Sequence, residues 1–343
     1  MQSHHILILG CGMVGRRHAR NLHRLGCQVS CMDTRPDPLE EIIKEVPVIH
    51  QFTSLNDALS RASEFTGVAV CSPTQCHVEQ ARAVLDLDLP VLVEKPVSTD
   101  VDSCNPLQTR LQQGGKLLLD YPYRWWTPVR QLKTLISAGA IGVPRHARFV
   151  MSAHAKHVNP VQAEQALSSA KHDLNGGVLL EQIHFIDLML WIFGMPDRIF
   201  ARTGKISNLE READDVVDIV AGYADQVLVT FHMDSFGRPH EQHIVVTGEE
   251  GTIQCLFAPD ALRLSRMPEL RWETEYFSIE RNDMFLSVAR EFLNILDGNN
   301  FDQTCTLEDG IRTLKVVEAC KQSQGTRSEV ILTGTVPVAD TVG

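Results

Sequence analysis

The sequence lacks any uninterrupted apolar run as long as a membrane span, so no membrane-spanning helix is expected. Its opening, Met1-Gln2-Ser3-His4-His5, lacks the basic and then apolar build of a secretory signal, which predicts a cytoplasmic protein. Basic charge is not in surplus: 32 Lys and Arg stand against 43 Asp and Glu, a net charge of −11. Nucleic acid or an anionic membrane is therefore not expected as the main partner, although a single local Arg or Lys can still hold an anionic substrate. The nine cysteines are scattered, and none forms with nearby histidines the close pairs of a structural zinc site. Cys11, Cys31 and Cys71 fall at strand ends or in a glycine loop, where small apolar side chains pack, and read as reduced thiols. The fourteen histidines are mostly dispersed, so no metal is expected. Internal repeats and low-complexity segments are also missing.

What is present is the balance of a soluble globular protein: 343 residues, 43% hydrophobic and 22% charged, a length that suggests two domains. The chain is organised around its start. A short apolar run, His5-Ile6-Leu7-Ile8-Leu9, leads into Gly10-Cys11-Gly12-Met13-Val14-Gly15. Residues 13–25 then carry apolar side chains at helical spacing, and a second strand-like run ends on Asp33. Strand, glycine turn, helix, strand and acid in this order are what a dinucleotide site needs. Gly10 lets the chain turn, Gly12 lets backbone approach a pyrophosphate, and Gly15 lets the helix pack on the strands. The phosphates would sit on the free N–H groups at the helix N-terminus, where the dipole favours negative charge. A carboxylate at Asp33 accepts hydrogen bonds from ribose hydroxyls and repels a 2′-phosphate, which favours NAD, whereas Arg35 offsets that repulsion and leaves NADP open.

Helical patterns at 38–45, 54–62, 75–87 and 100–113 alternate with strand-like runs at 46–50, 67–71, 91–93 and 116–120. This alternation predicts a doubly wound parallel sheet, a Rossmann domain, with ligands at the carboxyl ends of its strands. Gly10, Asp33, Ser72 and Lys95 all fall at such ends. After about residue 121 the pattern changes. A helix is expected at 128–138, a strand at 145–152 and one apolar helix at 177–193. Strands follow at 197–204, 215–223, 226–234, 242–248 and 252–257, read as a mostly antiparallel meander, and helices at 284–296 and 307–322 close the chain. The expected division is a nucleotide-binding domain at 1–122 and, at 123–343, an α/β domain with a large, mostly antiparallel open sheet. Apolar alternation in Val227-Leu228-Val229-Thr230-Phe231 and Ile244-Val245-Val246 suggests that the open face is partly covered by a second copy, in a homodimer or homotetramer.

Taken together, the glycine loop, Ser72-Pro73-Thr74-Gln75-Cys76-His77, Glu94-Lys95-Pro96, Tyr123-Arg124 before Pro128, the run from Gly176 through Glu181 and His184 to Asp187, and Gly248-Glu249-Glu250-Gly251-Thr252 resemble the Gfo/Idh/MocA family. The resemblance covers nearly the whole chain. It implies an N-terminal Rossmann domain, a C-terminal α/β domain whose open sheet serves oligomers, and pyridine-nucleotide redox chemistry on sugars, cyclitols and related compounds. Carried onto this chain, it implies a cofactor site of Gly10, Cys11, Gly12, Met13, Val14, Gly15, Asp33, Thr34, Arg35, Cys71, Ser72, Pro73, Thr74, His77, Glu94 and Lys95. The segment at 181–187 departs from the commoner pattern, in which an Asp precedes the catalytic His by four residues; here Glu181 precedes His184 by three. That variant is similar to a branch associated with acidic and nucleotide-linked sugars.

The chemistry stands beside the resemblance. Oxidation of a secondary alcohol needs a base for the hydroxyl proton while the hydride leaves for the nicotinamide. Lys95, at a strand end between Glu94 and a proline, is placed to offer its ammonium to the reacting oxygen, the alternative being a surface lysine in a corner. At about 100° per residue, Glu181, His184 and Asp187 fall on one side of a single helix, so a carboxylate can orient an imidazole that exchanges protons near neutrality. His184 is the expected acid/base with Glu181 beside it, and Asp187 lines the substrate site or bonds nearby backbone. Arg124 pairs with a substrate carboxylate or phosphate, or makes a structural salt bridge. Tyr123, Trp125 and Trp126 offer faces to a sugar ring or build the domain junction, and Lys171, His172 and Asn175 are weaker candidates for substrate hydroxyls. The expected function is an NAD-dependent dehydrogenase or ketoreductase for a sugar-like substrate. The alternatives are a redox-neutral, NAD-assisted glycoside-cleaving enzyme and, against the retention of Lys95 and His184, a non-catalytic NAD-binding protein.

Overall fold

The structure is a computed structural model that describes residues 4–154, 177–210, 212–224, 226–299 and 301–332. Two compact units divide the chain, Met1–Trp126 with Glu280–Leu314, and Thr127–Ile279 with Lys315–Gly343. The first unit thus takes in a segment from late in the sequence, where the sequence reading makes one cut at 122/123.

The first unit is built on six parallel strands in the order β3-β2-β1-β4-β5-β6. They are β1 His5–Leu9, β2 Gln28–Met32, β3 Gln51–Phe52, β4 Gly67–Val70, β5 Val91–Glu94 and β6 Leu117–Asp120. Strands covered on both faces read as continuous apolar runs, and Ile6 to Leu9 are accordingly fully buried. Strand β1 lies at the centre, with Ile8 level with Cys31 on one side and Ala69 on the other. The strand order reverses there, and such a switch point opens a crevice at the carboxyl ends. Helix α1, Met13–Arg24, follows the glycine loop. Helices α2 Pro36–Ile42, α3 Leu55–Leu59, α4 His77–Leu85 and α5 Asn105–Gln112 make the later crossovers.

The strand expected at 46–50 is irregular chain. Pro47 has no N–H to give, and regular pairing with β2 begins only at Gln51, although Ile49 N–H reaches Val29 O (2.8 Å) and His50 O accepts from Cys31 N–H (2.9 Å). Helix α3 is shorter than expected but starts where the sequence places it, with Ser54 as its cap, accepting from Asp57 N–H at 3.4 Å.

The second unit holds a nine-stranded mixed sheet, completed by strands that the sequence reading did not find. Strand β7, Pro144–Ser152, pairs antiparallel with β11 Glu241–Gly248 and parallel with β10 Val227–Asp234. Outward from β10 lie β9 Val216–Tyr223, β8 Arg198–Gly204 and β15 Val330–Ile331. Outward from β11 lie β12 Gly251–Phe257, β13 Asp260–Arg266 and β14 Glu273–Tyr276. Strand β14 is exposed at every position and β15 has two residues, so neither carries the apolar alternation that marks a half-buried strand.

The apolar helix expected at 177–193 is two helices, α7 Val178–Glu181 and α8 Ile183–Phe193. Gln182 breaks it with φ −99° and ψ 21°. No proline or glycine marks the break, so the residue order does not announce it. Phe185 on α8 meets Phe149 of β7 edge to face (6.2 Å between ring centroids), and Phe149 stacks on Phe231 of β10 (4.8 Å). One face of the sheet is therefore core. The other leaves Val220 and Leu228 39% and 46% exposed. Helix α6, Thr127–Ser137, also belongs to this unit, while α9, Asn282–Leu296, belongs to the first. The last helix, α10, spans Leu307–Thr326.

Candidate active site

The three loop glycines do different work, and the space around each shows which. Gly10 has φ +88°, and a Cβ there would lie 2.6 Å from the Ser72 backbone. At Gly15 a Cβ would lie 1.9 Å from the Gly10 carbonyl oxygen. Both are demanded by the fold itself. A Cβ on Gly12 would meet nothing within 4 Å. The space beside Gly12 is open, as a site for backbone approach by a pyrophosphate requires. Gly12 is also the N-cap of α1, with no side-chain cap and no acid in the first turn, and His23 and Arg24 occupy the last turn. The N-terminal end of a twelve-residue helix thus faces that space with no acid in its first turn to oppose an anion.

Asp33 is buried at the end of β2 and tied to the loop. Its Oδ2 accepts from Cys11 N–H (2.9 Å), and its Oδ1 accepts from Arg35 N–H (3.0 Å) and Arg35 Nε (3.3 Å). A carboxylate has about four acceptor positions, so one is left for a ribose hydroxyl. The Arg35 side chain is 69% exposed beside it, as is Thr34 on the surface, so a positive group stands next to the acid that disfavours a 2′-phosphate.

At the end of β4, Cys71, Ser72, Pro73 and Thr74 lead into α4. Ser72 Oγ donates to Gln80 Oε1 at 2.7 Å, so this hydroxyl is bound within the loop. The ring of His77 bridges to the next strand end: Nδ1 lies 2.8 Å from Pro96 O and Nε2 2.7 Å from Ser72 O. Burial pushes its pKa below the ordinary value despite those carbonyls, so the neutral ring donates to one of them at a time. His77 therefore joins the loops after β4 and β5. Lys95 follows at the end of β5, half-buried, with its N–H donating to Glu94 Oε2 (3.2 Å).

Beneath Lys95 lies a cluster that the sequence reading missed. His18 Nε2 of α1 is 2.9 Å from Glu94 Oε1 and 3.3 Å from Asp120 Oδ2, and both His18 and Asp120 are fully buried. Glu94 and Asp120 are lateral neighbours on β5 and β6. Burial alone would lower the His18 pKa, but the bonds and charges of Asp120 and Glu94 outweigh it and raise it to about 9. Burial, with the Glu94 charge added, pushes Asp120 up to about 6. For Glu94, burial is overcome by His18 and Lys95, and its pKa falls. Two signals were in the sequence: His18 lies three residues after Gly15 on the buried face of α1, and Asp120 ends the apolar run Leu117-Leu118-Leu119.

Arg124, expected to meet a substrate anion, is instead 2% exposed, with Nη1 2.9 Å from Thr304 O and 3.2 Å from Asp309 Oδ2. Against the burial of Asp309, the Arg124 charge and the Thr306 hydrogen bonds hold its pKa below the usual range. The salt bridge named as the alternative is present. Trp125, also buried, donates to Glu291 Oε2 at 2.8 Å, which leaves half-buried Tyr123 as the more accessible aromatic. In the second unit, His184 and Asp187 remain three residues apart on α8, but Glu181 ends α7 beyond the break. His184 and Asp187 therefore share one helix, and Glu181 lies on the other. Asp187 is buried and His184 half-buried. Lys171, His172, Asn175 and Gly176 lie outside the described residues, and no described helix is long and apolar enough to cross a membrane.

A parallel sheet in the order 3-2-1-4-5-6, with a glycine loop, an acid and a lysine along its carboxyl edge, defines a dinucleotide-binding oxidoreductase. Residues 4–121 match the oxidoreductase family with an NAD-binding Rossmann fold, and residues 129–254 match the GFO/IDH/MocA C-terminal domain. The chain belongs to the Gfo/Idh/MocA family, and it is an NAD(P)-dependent oxidoreductase of the kind that acts on CH–OH groups. An uncharacterized oxidoreductase, YrbE of Bacillus subtilis, is 22% identical over 92% of this chain and 93% of its own length. Inositol 2-dehydrogenase 3 of Saccharopolyspora erythraea is 28% identical over 54% of this chain, and the match spans about half of that relative, 52%. Among solved structures, the fold is shared with scyllo-inositol dehydrogenase from Lactobacillus casei bound to NAD(H) and scyllo-inositol, at TM-score 0.78, 21% identity and coverage of 96% and 99% of the two chains. It is shared equally with the WlbA dehydrogenase from Bordetella pertussis in complex with NADH and UDP-GlcNAcA, at TM-score 0.80, 18% identity and coverage of 97% and 100%.

Proposed function

We propose that the protein is an NAD-dependent dehydrogenase that moves a hydride between the nicotinamide and a secondary alcohol or ketone of a sugar, cyclitol or sugar derivative. The observation that carries this reading is the placement of Lys95 on the same carboxyl edge of the sheet as the open glycine loop and Asp33. NAD, when bound, supplies the hydride acceptor. The chain's own residues do the rest. Lys95 holds the reacting oxygen and favours its alkoxide character in oxidation, and His184 takes or returns the hydroxyl proton. Asp187, buried one turn along α8, steadies the imidazole, and Glu181 is a second carboxylate for the same task. Tyr123 offers an aromatic face to the substrate ring.

Asp33 favours NAD, with Arg35 beside it as the reason that NADP remains a weaker ligand. The inositol dehydrogenases among the relatives support a neutral cyclitol or sugar. An acidic or nucleotide-linked sugar, as in the WlbA complex, draws no support from Arg124, whose guanidinium is paired with Asp309. The open sheet face around Val220 and Leu228 supports a homo-oligomer, and the free cysteines, mostly buried, suit a reducing compartment such as the cytoplasm. A screen of inositols, free sugars, sugar acids and nucleotide-linked sugars at fixed NAD, read at the nicotinamide absorbance, tests the reading. Net NADH with a polyol is the expected result. Substrate turnover with no net NADH would replace it with redox-neutral cleavage.

A further inference from the structure

The reaction as proposed uses Lys95 but not the groups buried behind it. His18, Glu94 and Asp120 bring two carboxylates and one imidazole into a space with almost no solvent, at 2.9 and 3.3 Å from the same ring nitrogen. One N–H cannot donate well to both oxygens, and among the described residues no group gives an aligned hydrogen bond to either oxygen of Asp120. An uncompensated carboxylate pair is costly in such a place, so protons must be shared among the three groups. Glu94 carries the cluster's state outward: one oxygen faces His18, and the other accepts from the backbone N–H of Lys95.

We propose that His18, Glu94 and Asp120 form a proton-sharing cluster that positions Lys95 and sets the charge behind its ammonium. Glu94 and Asp120 together carry two negative charges when both are ionised and the imidazolium carries one positive, so a single net negative charge backs Lys95 and favours its protonated form. The three are positioning residues, since they act through Lys95. Other groups facing the cluster set a background charge that the substitutions below leave in place. Arg17 on α1 feels the charges of Glu94 and Asp120 and partly offsets them, with its guanidinium 4.1 Å from the Phe285 ring centroid and Arg281 also acting on it. Cys71 at the end of β4 is a neutral thiol, because burial and the two carboxylates push its pKa well up. His77 on α4 is neutral for the reason given above.

The inference rests on the catalytic reading of Lys95, and the experiment separates the two. Lysines of the whole protein are dimethylated with carbon-13 label, the Lys95 signal is identified by its loss in Lys95→Arg, and its titration is followed by NMR without substrate. In Asp120→Asn the cluster loses one negative charge and keeps its shape, so Lys95 should titrate lower by about one pH unit, the size expected for a near charge. Glu94→Gln, which keeps an acceptor for the Lys95 N–H, should move it in the same direction and serves if Asp120→Asn does not fold. The alkaline limb of the kcat profile should follow. If Lys95 moves in the NMR titration but kcat does not, the cluster is upheld and the catalytic reading fails. An unmoved Lys95 signal in both variants would overturn the proposal. So would a stoichiometric metal ion in the native protein that Asp120→Asn loses.

Stability supplies a second reading. The His18 pKa is raised in the folded state, so its contribution is fully present below the ordinary value of about 6.5 and is lost as pH rises through about 9. The melting temperature of the native protein should fall over that window by more than that of His18→Gln. Parallel curves would contradict proton sharing at His18.

Discussion

In the first unit Gly10, Asp33, Ser72 and Lys95 sit at the carboxyl ends of strands, each with a paired strand on at least one side; in the second, Glu181, His184 and Asp187 sit on two short helices laid against a sheet. The difference decides how far each can be placed from residue order alone. A parallel ladder fixes both direction and level, so Gly10, Asp33, Ser72, Lys95 and Asp120 must line one edge once their strands pair. A helix face has no such constraint. One residue, Gln182, is enough to divide the run into two helices, with Glu181 on the first and His184 and Asp187 on the second.

The largest contrast lies within the glycine loop. Gly10→Val forces a side chain onto the Ser72 backbone at a φ of +88° and should cost roughly 2–6 kcal/mol of stability, the combined range for backbone strain and overpacking. Gly12→Val projects into open space, so its melting temperature should stay near that of the native protein while NAD titration shows no binding. A Gly12→Val protein that binds NAD normally would mean that the pyrophosphate lies elsewhere.

The helical group in the second unit gives the next largest effect. His184→Ala should lower turnover by roughly two to four powers of ten, the range for loss of a positioned proton acceptor. Glu181→Gln should cost less, because Glu181 lies on α7 and not on the helix that carries His184 and Asp187. If His184→Ala keeps near-full turnover and Glu181→Gln or Asp187→Asn abolishes it, a carboxylate holds the acid/base role.

A smaller effect is expected at Asp33. Asp33→Ala should weaken NAD by roughly 10- to 100-fold, the worth of a charge-assisted hydrogen bond, and so narrow the gap to NADP. Titration of both nucleotides checks it, and equal affinities in the native protein would remove the assignment.

Much of this was legible in the sequence because glycine, proline and strand-end acids carry local geometry. The glycine loop, the strand ends at Asp33, Ser72 and Lys95, and the alternation that makes a parallel sheet were all readable. His18 and Asp120 were not, since a lone histidine on a helix and an acid after three leucines look like core and turn until β5 and β6 set Glu94 beside Asp120. Arg124 shows the converse. Its partner, Asp309, lies far along the chain, in the late segment that joins the first unit, and no local pattern pairs them. Strands β14 and β15 escaped because an exposed or two-residue edge strand has no buried face to write into its sequence, and β13 because its two buried residues, Ala261 and Leu262, are adjacent rather than alternating.

The most direct test of the account is the Lys95→Ala protein, measured for turnover at saturating NAD with the substrate from the screen and, in parallel, for NAD affinity by titration. The account predicts turnover lower by roughly two to four powers of ten with NAD affinity changed little. Unchanged turnover, or a loss that tracks NAD binding, would contradict the claim that this strand end carries the chemistry.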